Sequence, residues 1–166
     1  MRILIGIDDT DNKISRGTGF RSRQLGKLIE ENKIGFVGSI TRHQLFFDSR
    51  IPYTSQNSSA CLEVFSTEFL KLVKLSREFL IRNSAEGSDA GLAVSIFENI
   101  NEQIENWGLR AKEEILTQKE AYQIANEKNI YLEGLTGDKD GIIGALAAIA
   151  LRKTANDGRC IWLKGA

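Results

Sequence analysis

Apolar residues recur along the chain with two periods, one typical of strands and one typical of helices. Arg2–Ile7 is a short, nearly continuous apolar run, which predicts a buried strand. Phe20–Glu31 carries Leu25, Leu28 and Ile29 on one helical face, which predicts the first helix. Further strands are predicted at Ile34–Ile40, Ala60–Phe65, Leu92–Phe97, Ile130–Leu135 and Arg159–Leu163. Further helices are predicted at Thr67–Ile81, Asn101–Asn106, Gln118–Lys128 and Ile142–Arg152.

The alternation of strands and helices predicts an α/β (α+β) fold, with a mixed or parallel β-sheet and helices packed on it. The chain has 166 residues, of which 42% are apolar, and this suits one hydrophobic core. We find no repeat and no linker rich in Pro, Gly and Ser, and the sole proline, Pro52, falls in a predicted loop. We therefore expect a single domain over residues 1–166.

The charges balance and suggest no long-range attraction for polyanions. Lys plus Arg and Asp plus Glu both number 22, so we do not expect this chain to bind tRNA by itself. No run approaches the roughly 20 apolar residues of a membrane span, and the start lacks the features of a secretory signal. Cys61 and Cys160 lie far apart without CxxC spacing, which is typical of thiols in a reducing compartment. A cytoplasmic location and no membrane contact follow as expectations.

An acidic loop directly follows the first predicted strand, in the sequence ILIGIDDTDN. Asp8, Asp9 and Asp11 repel one another unless a cation offsets their charge. A hard divalent ion such as Mg²⁺ suits them, because it takes carboxylate oxygens and completes its shell with phosphate and water. The alternative is an ordinary acidic turn in which Asp11 or Asn12 caps the following helix.

Three known acidic motifs can be compared with this loop by spacing. A calcium hand does not fit, because Lys13 and Ile14 stand where a ligand and a glycine belong. A phosphatase of the haloacid dehalogenase type, with Asp9 as an aspartyl nucleophile, fits poorly, because Lys13 also replaces the expected hydroxyl. The phosphate loop of sugar kinases and actin-like ATPases is similar in logic, although its hairpin glycine is missing here.

A glycine-rich element precedes the last predicted helix, in the sequence YLEGLTGDKDGIIGALAAIALRK. Glycines allow the backbone to approach a ligand closely, and the N-terminus of a helix favours anions, so this element suits a phosphate. It matches neither GxxxxGK[ST] nor a complete GxGxxG, and a tight turn before a core helix explains it equally well. Asp138 and Asp140 would repel a bare phosphate, so they either hold a metal or point away. The glycines are Gly134, Gly137, Gly141 and Gly144.

Cations and hydroxyls follow the acidic loop. Arg21 and Arg23 could brace the carboxylates or clamp a phosphoryl group, and a solvated helix turn is the alternative. Ser22 and Thr18 are hydroxyls that could accept a phosphoryl group, although Thr18 could equally cap the helix. His43 stands at a strand end, where a lone histidine is more often structural than catalytic.

Two polar turns precede strands, in the sequences IPYTSQNSSACLEV and EGSDAGLAV, and resemble either ligand-covering loops or plain turns. Together with the acidic loop and the glycine-rich element, they supply the residues that we expect to contact a nucleotide. These are Gly6, Thr10, Asn57, Gly137, Gly141 and Gly144.

Read in order, the blocks IGIDDTD, GFRSRQLG, IPYTSQNSSACLEV, GSDAGLAV and GLTGDKDGIIGALAAIAL resemble the N-terminal kinase-like domain of the archaeal agmatinylcytidine synthetase that modifies isoleucine tRNA. The resemblance runs through nearly the whole chain and is most specific in its first and last blocks. It implies ATP and magnesium at Asp8, Asp9 and Asp11, with the Gly137–Gly144 loop near the nucleotide. It also implies phosphorylation of a cytidine and of a threonine of the domain itself.

The chain departs from that family at two points. GFRSRQL stands where the family has a hydroxyl-rich segment, so Ser22 matches the self-phosphorylated threonine and Arg21 and Arg23 are additions. The family continues into a ferredoxin-like domain, an oligonucleotide-binding fold and a zinc ribbon. We therefore expect a partner protein that supplies RNA-binding domains, or a small-molecule acceptor.

These observations together predict an ATP-dependent phosphotransferase-like or ATPase-like domain. Asp8 and Asp11 would hold Mg²⁺, Asp9 would assist the metal or the acceptor, and Arg21 or Arg23 would offset phosphoryl charge. One alternative is a non-catalytic nucleotide-binding or regulatory module. The other is the phosphatase with Asp9 as nucleophile, which needs no ATP.

Overall fold

The computed structural model of the protein describes residues 1–8, 17–46 and 58–165. The strands are β1 (Arg2–Asp8), β2 (Phe36–Gln44), β3 (Ser58–Phe65), β4 (Gly91–Ile96), β5 (Tyr131–Gly134) and β6 (Arg159–Leu163). The α-helices are α1 (Thr18–Glu31), α2 (Phe69–Asn83), α3 (Glu102–Arg110), α4 (Gln118–Glu127) and α5 (Gly141–Thr154). A short 3₁₀-helix, Phe97–Asn99, follows β4.

The six strands form one sheet in the order β5-β4-β1-β3-β2-β6. Its centre is built from two interlocked β-α-β units, β1-α1-β2 and β3-α2-β4, whose strands alternate across the sheet. Each helical connection carries the chain past one strand position, and a strand of the other unit fills the gap.

The predicted α/β (α+β) class, with helices packed on one sheet, is confirmed. The sheet differs from a parallel one, because each of its five neighbouring strand pairs is antiparallel. The strands joined through α1 and those joined through α2 do run in the same direction, as the sequence pattern suggests. They are not neighbours, because the two units interlock, and only the tertiary arrangement decides that. By contrast, β4 and β5, joined through α3 and α4, are antiparallel neighbours.

A hydrophobic core lies on each face of the sheet. Ile3, Ile5 and Ile7 belong to the core beneath α1 and α2, whereas Leu4 belongs to the core beneath α3, α4 and α5. Successive strand residues point to opposite faces, so β1 carries no polar side chain between Arg2 and Asp8, because both of its faces are buried. This burial explains the continuous apolar run in the sequence.

The predicted element bounds shift where polar residues lie inside an element. The strand predicted at Ile34–Ile40 is observed as Phe36–Gln44, because its last residues are polar and interrupt the apolar run. The helix predicted at Asn101–Asn106 is observed as Glu102–Arg110, and the Asn101 side chain caps it by accepting from the Ile104 amide. The Thr117 cap of α4 is formed through the Glu120 amide.

Within the described ranges, none of the helices combines the length and the apolar character that crossing a membrane requires.

Candidate functional site

Three chain segments meet at one edge of the sheet, beside the N-terminus of α5. Asp8 ends β1 and pairs with Gly91, which begins β4. Gly91 in turn pairs with Gly134, which ends β5. The start of the acidic loop, the GSDAG turn and the glycine-rich turn are therefore neighbours in space, although about 130 residues separate the first from the last.

Two glycines let α5 pack directly on the sheet backbone. A β-carbon at Gly91 would overlap the Gly141–Ile142 peptide, and one at Gly6 would overlap the Ala145 carbonyl. Gly6, which the sequence suggested as a nucleotide contact, is buried under α5 in this arrangement. The close approach sets the first turn of α5 over the end of β1.

The Asp8 carboxylate lies under that first turn, against Gly144. The Asp8 residue is 8% exposed, and a β-carbon at position 144 would overlap Oδ2 of Asp8. The N-terminus of a helix carries partial positive charge, so this position stabilises an ionised carboxylate. Because Gly144 has no side chain, it leaves room for the Asp8 carboxylate.

The glycine-rich turn is held in shape by Asp89 of the GSDAG turn. The amide of Asp138 donates to Oδ1 of Asp89 at 2.7 Å, and the amide of Gly141 donates to the Asp89 carbonyl at 2.8 Å. Gly137 has a φ of +54°, and a β-carbon there would overlap Oδ1 of Asp89. The glycine at 137 is required both by its backbone conformation and by the space that Asp89 occupies.

Thr136 joins the same two turns. Its hydroxyl donates to the Ser88 carbonyl at 2.9 Å and accepts from the Ala90 amide at 2.9 Å. The Leu135 amide donates to the Ala90 carbonyl at 2.8 Å and continues the ladder beyond β5. The two turns that the sequence presented separately thus form one hydrogen-bonded unit.

Amides in the first turn of α5 already have partners inside the chain. Besides that of Gly141, the amide of Ile142 donates to the Lys139 carbonyl and that of Ile143 donates to the Asp140 carbonyl, both at 3.3 Å. In this conformation these amides stabilise the turn, whereas the sequence suggested that the element binds a phosphate.

The two acids of the glycine-rich turn differ in their surroundings. Asp138 is exposed, and Oδ1 of Asp140 accepts a hydrogen bond from Nε2 of Gln118 at the start of α4. The sequence left open whether these acids hold a metal or point away from a phosphate, and both alternatives stay predictions.

The candidate residues of α1 lie on the other face of the sheet from α5. Ser22 is fully buried, and its hydroxyl donates to the Gly19 carbonyl at 2.7 Å. Arg21 donates to Oε1 of Gln24 at 2.8 Å, while its buried Nε has no hydrogen-bond partner among the described residues. Arg23 is exposed. Ser22 thus stabilises the first turn of α1 in this conformation.

Four predicted site residues, Asp9, Thr10, Asp11 and Asn57, lie outside the described residues. Within the described ranges, no group of three or more His, Cys, Asp or Glu side chains is arranged to hold a metal ion. Of the predicted metal ligands, Asp8 alone lies within the described residues. Mg²⁺ commonly takes only one or two protein carboxylates and fills its other positions with phosphate and water, so a buried carboxylate at this edge fits such an ion.

His43 belongs to a second polar cluster, near the end of β2. Its Nδ1 lies 2.9 Å from Oδ1 of Asp157, and its Nε2 lies 2.8 Å from Oγ1 of Thr41. Burial is the main cause that lowers the pKa of His43, against the opposing effect of Asp157. Burial alone would raise the pKa of Asp157, but hydrogen bonds from Lys112 and His43 outweigh it and the pKa is lowered.

The roles of Asp89 and Asp157 were not predicted from the sequence. Asp89 stands in the polar GSDAG turn before β4, but nothing in the sequence showed that this turn touches the glycine-rich turn. Asp157 lies 114 residues from His43, and no local pattern links them. Contacts of this range become apparent only in the folded chain.

Comparison with known proteins supports the predicted resemblance. No protein-family model matches the chain. An uncharacterised protein of Methanocaldococcus jannaschii is 29% identical over 153 residues, which are 90% of this chain and 50% of that protein. The chain thus spans about half the length of the curated relative it matches.

Solved structures of TiaS, an agmatidine synthetase of an isoleucine tRNA, share the fold. The complex of TiaS with that tRNA and ATP superposes with a TM-score of 0.80 at 24% identity, and the apo enzyme with 0.76 at 23%. A tRNA fluorescent labeling enzyme gives 0.79 at 25%. Each match covers 90% of this chain but only 35–36% of the solved chain. This chain therefore has the fold of a TiaS-like domain that forms about a third of those proteins.

Proposed function

We propose that this chain is an ATP- and Mg²⁺-dependent phosphotransferase-like domain whose nucleotide site lies at the sheet edge beside Asp8. The observation that carries the proposal is the Asp8 carboxylate, which is buried between the end of β1 and the first turn of α5. Burial of a carboxylate costs free energy unless cations, dipoles or hydrogen bonds offset its charge. The N-terminus of α5 offsets part of this charge, and a bound Mg²⁺ would offset more of it.

The chain's own residues would divide the work at this edge. Asp8, with Asp9 and Asp11 of the acidic loop, would hold Mg²⁺, which offsets the negative charge of the phosphates when it is bound. The Gly134–Gly141 turn forms one side of this edge, and hydrogen bonds that involve Asp89 and Thr136 hold it in place. Arg21 and Arg23 would approach from α1 and offset phosphoryl charge.

A solved structure that shares the fold also supports the proposal. One solved neighbour contains ATP together with an isoleucine tRNA, and its 24% identity to this chain supports a common fold. We assign the nucleotide to this chain as well, because the match covers 90% of the chain and its sequence blocks resemble that family in the family's order. We also propose that the chain acts either with a partner protein that supplies RNA-binding domains or on a small-molecule acceptor.

A non-catalytic nucleotide-binding module is the second candidate, and Ser22 favours it. Ser22 matches the family's self-phosphorylated threonine, yet it is buried and its hydroxyl is bonded to the Gly19 carbonyl. A site with a nucleotide pocket but no accessible acceptor would bind ATP without turnover.

The decisive experiment measures thermal unfolding and phosphate release with ATP and Mg²⁺. At about 100 times the Kd, a ligand of the folded state adds about 2.7 kcal/mol to the free energy of unfolding, which is a clear thermal shift. We expect the shift and turnover in the parent chain and neither in Asp8→Asn, which keeps the side-chain shape. Asp138→Asn is the matched control, because that carboxylate is exposed in the adjacent turn.

Each result has one meaning. A shift without phosphate release would favour the binding module. A parent chain that shows no shift with ATP and Mg²⁺ would contradict both candidates. Circular dichroism of Asp8→Asn verifies that the variant is folded before its loss of binding is interpreted.

A further inference from the structure

The side chains of Thr41, His43 and Asp157 form a hydrogen-bonded series of hydroxyl, imidazole and carboxylate, away from the Asp8 edge. Thr41 and His43 are two residues apart on β2, so their side chains share one face of the sheet. Oγ1 of Thr41 is 2.8 Å from Nε2 of His43, and Nδ1 of His43 is 2.9 Å from Oδ1 of Asp157. These distances match the spacing of a nucleophile, its general base and the group that orients the base.

The surroundings determine which atoms carry protons. Nζ of Lys112 lies 2.8 Å from Oδ2 of Asp157, and together with His43 it keeps the carboxylate ionised. The ionised Asp157 requires a proton on Nδ1 of His43. Burial keeps the imidazole neutral, so Nε2 is unprotonated and accepts the hydrogen bond of the Thr41 hydroxyl. The imidazole is therefore in the tautomer that a general base needs.

The three residues differ in burial, as expected if the base is enclosed and the nucleophile is more exposed. His43 is fully buried and Asp157 has a side chain that is 14% exposed, whereas Thr41 is only partly buried. Gly158 has a φ of +98°, and a β-carbon there would lie 2.5 Å from Cε1 of His43, so the residue after Asp157 packs against the imidazole. The base is shielded from water, whereas the Thr41 residue is partly exposed.

The strand pairing is irregular beside Thr41. Along β2, Ile40 pairs with Trp162 and Thr41 pairs with Cys160, so the ladder skips Ile161. A β-bulge leaves the extra residue unpaired and turns the local backbone, and bulges are enriched next to active sites. This irregularity lies at the level of the hydroxyl and is independent of the side-chain contacts.

We propose that Thr41 is a nucleophilic hydroxyl that takes the acyl group of an activated ester, with His43 as its general base and Asp157 as the residue that positions the base. Oγ1 of Thr41 attacks the carbonyl carbon, and its proton passes to Nε2 of His43. The bond from carbon to the leaving oxygen breaks, and the same proton passes to that oxygen. The products are an acyl ester on Thr41 and the free alcohol.

The test uses p-nitrophenyl acetate with the whole chain, and measures nitrophenolate release and the acetylated peptide. We expect a burst of about one equivalent and an acetyl ester on Thr41. Thr41→Val should abolish both, and Thr41→Ser should retain them because it keeps the hydroxyl. His43→Gln should slow the burst by about 10²-fold, which is a typical contribution of a general base.

The pH profile separates catalysis from a structural role. The burst rate should rise with pH as His43 loses its proton, with an apparent pKa below 6.5, and should lose this dependence in His43→Gln. The charged groups that affect His43 are Asp157, Lys112 and Arg152. Asp157→Asn should slow the burst and move its apparent pKa, because the imidazole loses its orienting partner.

Two nearby side chains serve as internal controls. Cys160 is exposed and pairs with Thr41, so Cys160→Ser should leave the burst unchanged. Acetyl groups found only on Cys160 or on Lys112 would overturn the proposal. The absence of a burst from the folded parent chain, or a burst that His43→Gln does not slow, would overturn it as well.

Discussion

The carboxylate of Asp8 occupies the space that a β-carbon of residue 144 would need, so Gly144 and Asp8 are sterically coupled across 136 positions of sequence. One residue ends the first strand and the other lies in the first turn of the last helix. The coupling ties the acidic loop to the glycine-rich element without any ligand, and it makes the geometry of Asp8 sensitive to a methyl group.

Gly144→Ala should displace the Asp8 carboxylate and weaken the response to ATP and Mg²⁺. Alanine favours helix by about 1 kcal/mol over glycine, but overpacking costs about 1–3 kcal/mol, so the net stability should fall or stay level. The control is Gly26→Ala in α1, whose new β-carbon meets Ile40 at an ordinary 3.4 Å. Urea unfolding and the thermal shift with ATP measure the two effects. An unchanged ATP response in Gly144→Ala would contradict the coupling.

Asp89→Ala should loosen the glycine-rich turn, because the Asp138 amide loses its acceptor. The expected loss in free energy of unfolding is about 1.5–3 kcal/mol, as for a hydrogen bond to a charged group. Asp89→Asn is the matched variant, since its amide oxygen can still accept. Hydrogen exchange at Asp138 should quicken in the alanine variant and change little in the asparagine variant. Equal exchange in both would show that the Asp89 side chain does not hold the turn.

Glu63→Gln should be strongly destabilising, because Glu63 on β3 forms ion pairs with two arginines, Arg2 and Arg152. Its Oε2 lies 2.6 Å from Arg2 and 3.3 Å from Arg152, and its side chain is 11% exposed. Removing one member of a fully buried ion pair costs about 3–5 kcal/mol, and this is the upper limit here because the Arg2 and Arg152 side chains are 34% and 19% exposed. Urea unfolding measures the change.

Glu31→Gln is the surface comparison for that variant. Its carboxylate lies 3.9 Å from Lys27, and its side chain is 58% exposed. Loss of such an exposed pair changes stability by about 0–1 kcal/mol. Similar losses in the two variants would mean that burial of the Glu63 cluster adds nothing.

Acidification should destabilise the protein through His43 before it does so through Asp157. The folded pKa of His43 lies below the ordinary 6.5, so the unfolded chain binds protons first and the free energy of unfolding falls as pH drops below 6.5. The folded pKa of Asp157 lies below 3.8, so its contribution is present above 3.8 and is lost as pH falls further. Urea unfolding between pH 7 and pH 3 measures both.

His43→Gln isolates the first of these two steps. The variant should show a flatter dependence of stability on pH just below 6.5 than the parent chain, while the step below 3.8 should persist. A parent chain whose stability does not change as pH first falls below 6.5 would contradict the buried, neutral state of His43.

Sequence patterns predicted the elements well where a single physical cause dominated. The buried strand at Arg2–Ile7 and the helix at Ile142–Arg152 are observed as Arg2–Asp8 and Gly141–Thr154, because burial on all sides requires continuous apolar residues. The end of β2 was missed because Thr41 and His43 are polar, and the burial of His43 depends on Asp157, which lies far away in the sequence.

The sequence by itself determined the α/β (α+β) class, the order of the elements and the presence of acids and glycines beside strand ends, since periodicity and backbone freedom are local properties. Only the tertiary structure decided that neighbouring strands are antiparallel, that Gly144 leaves room for Asp8, that Asp89 shapes the turn at Gly137, and that His43 meets Asp157. The physical reason is that close packing joins residues far apart in sequence, and steric overlap or a shared proton depends on distances that no local pattern contains.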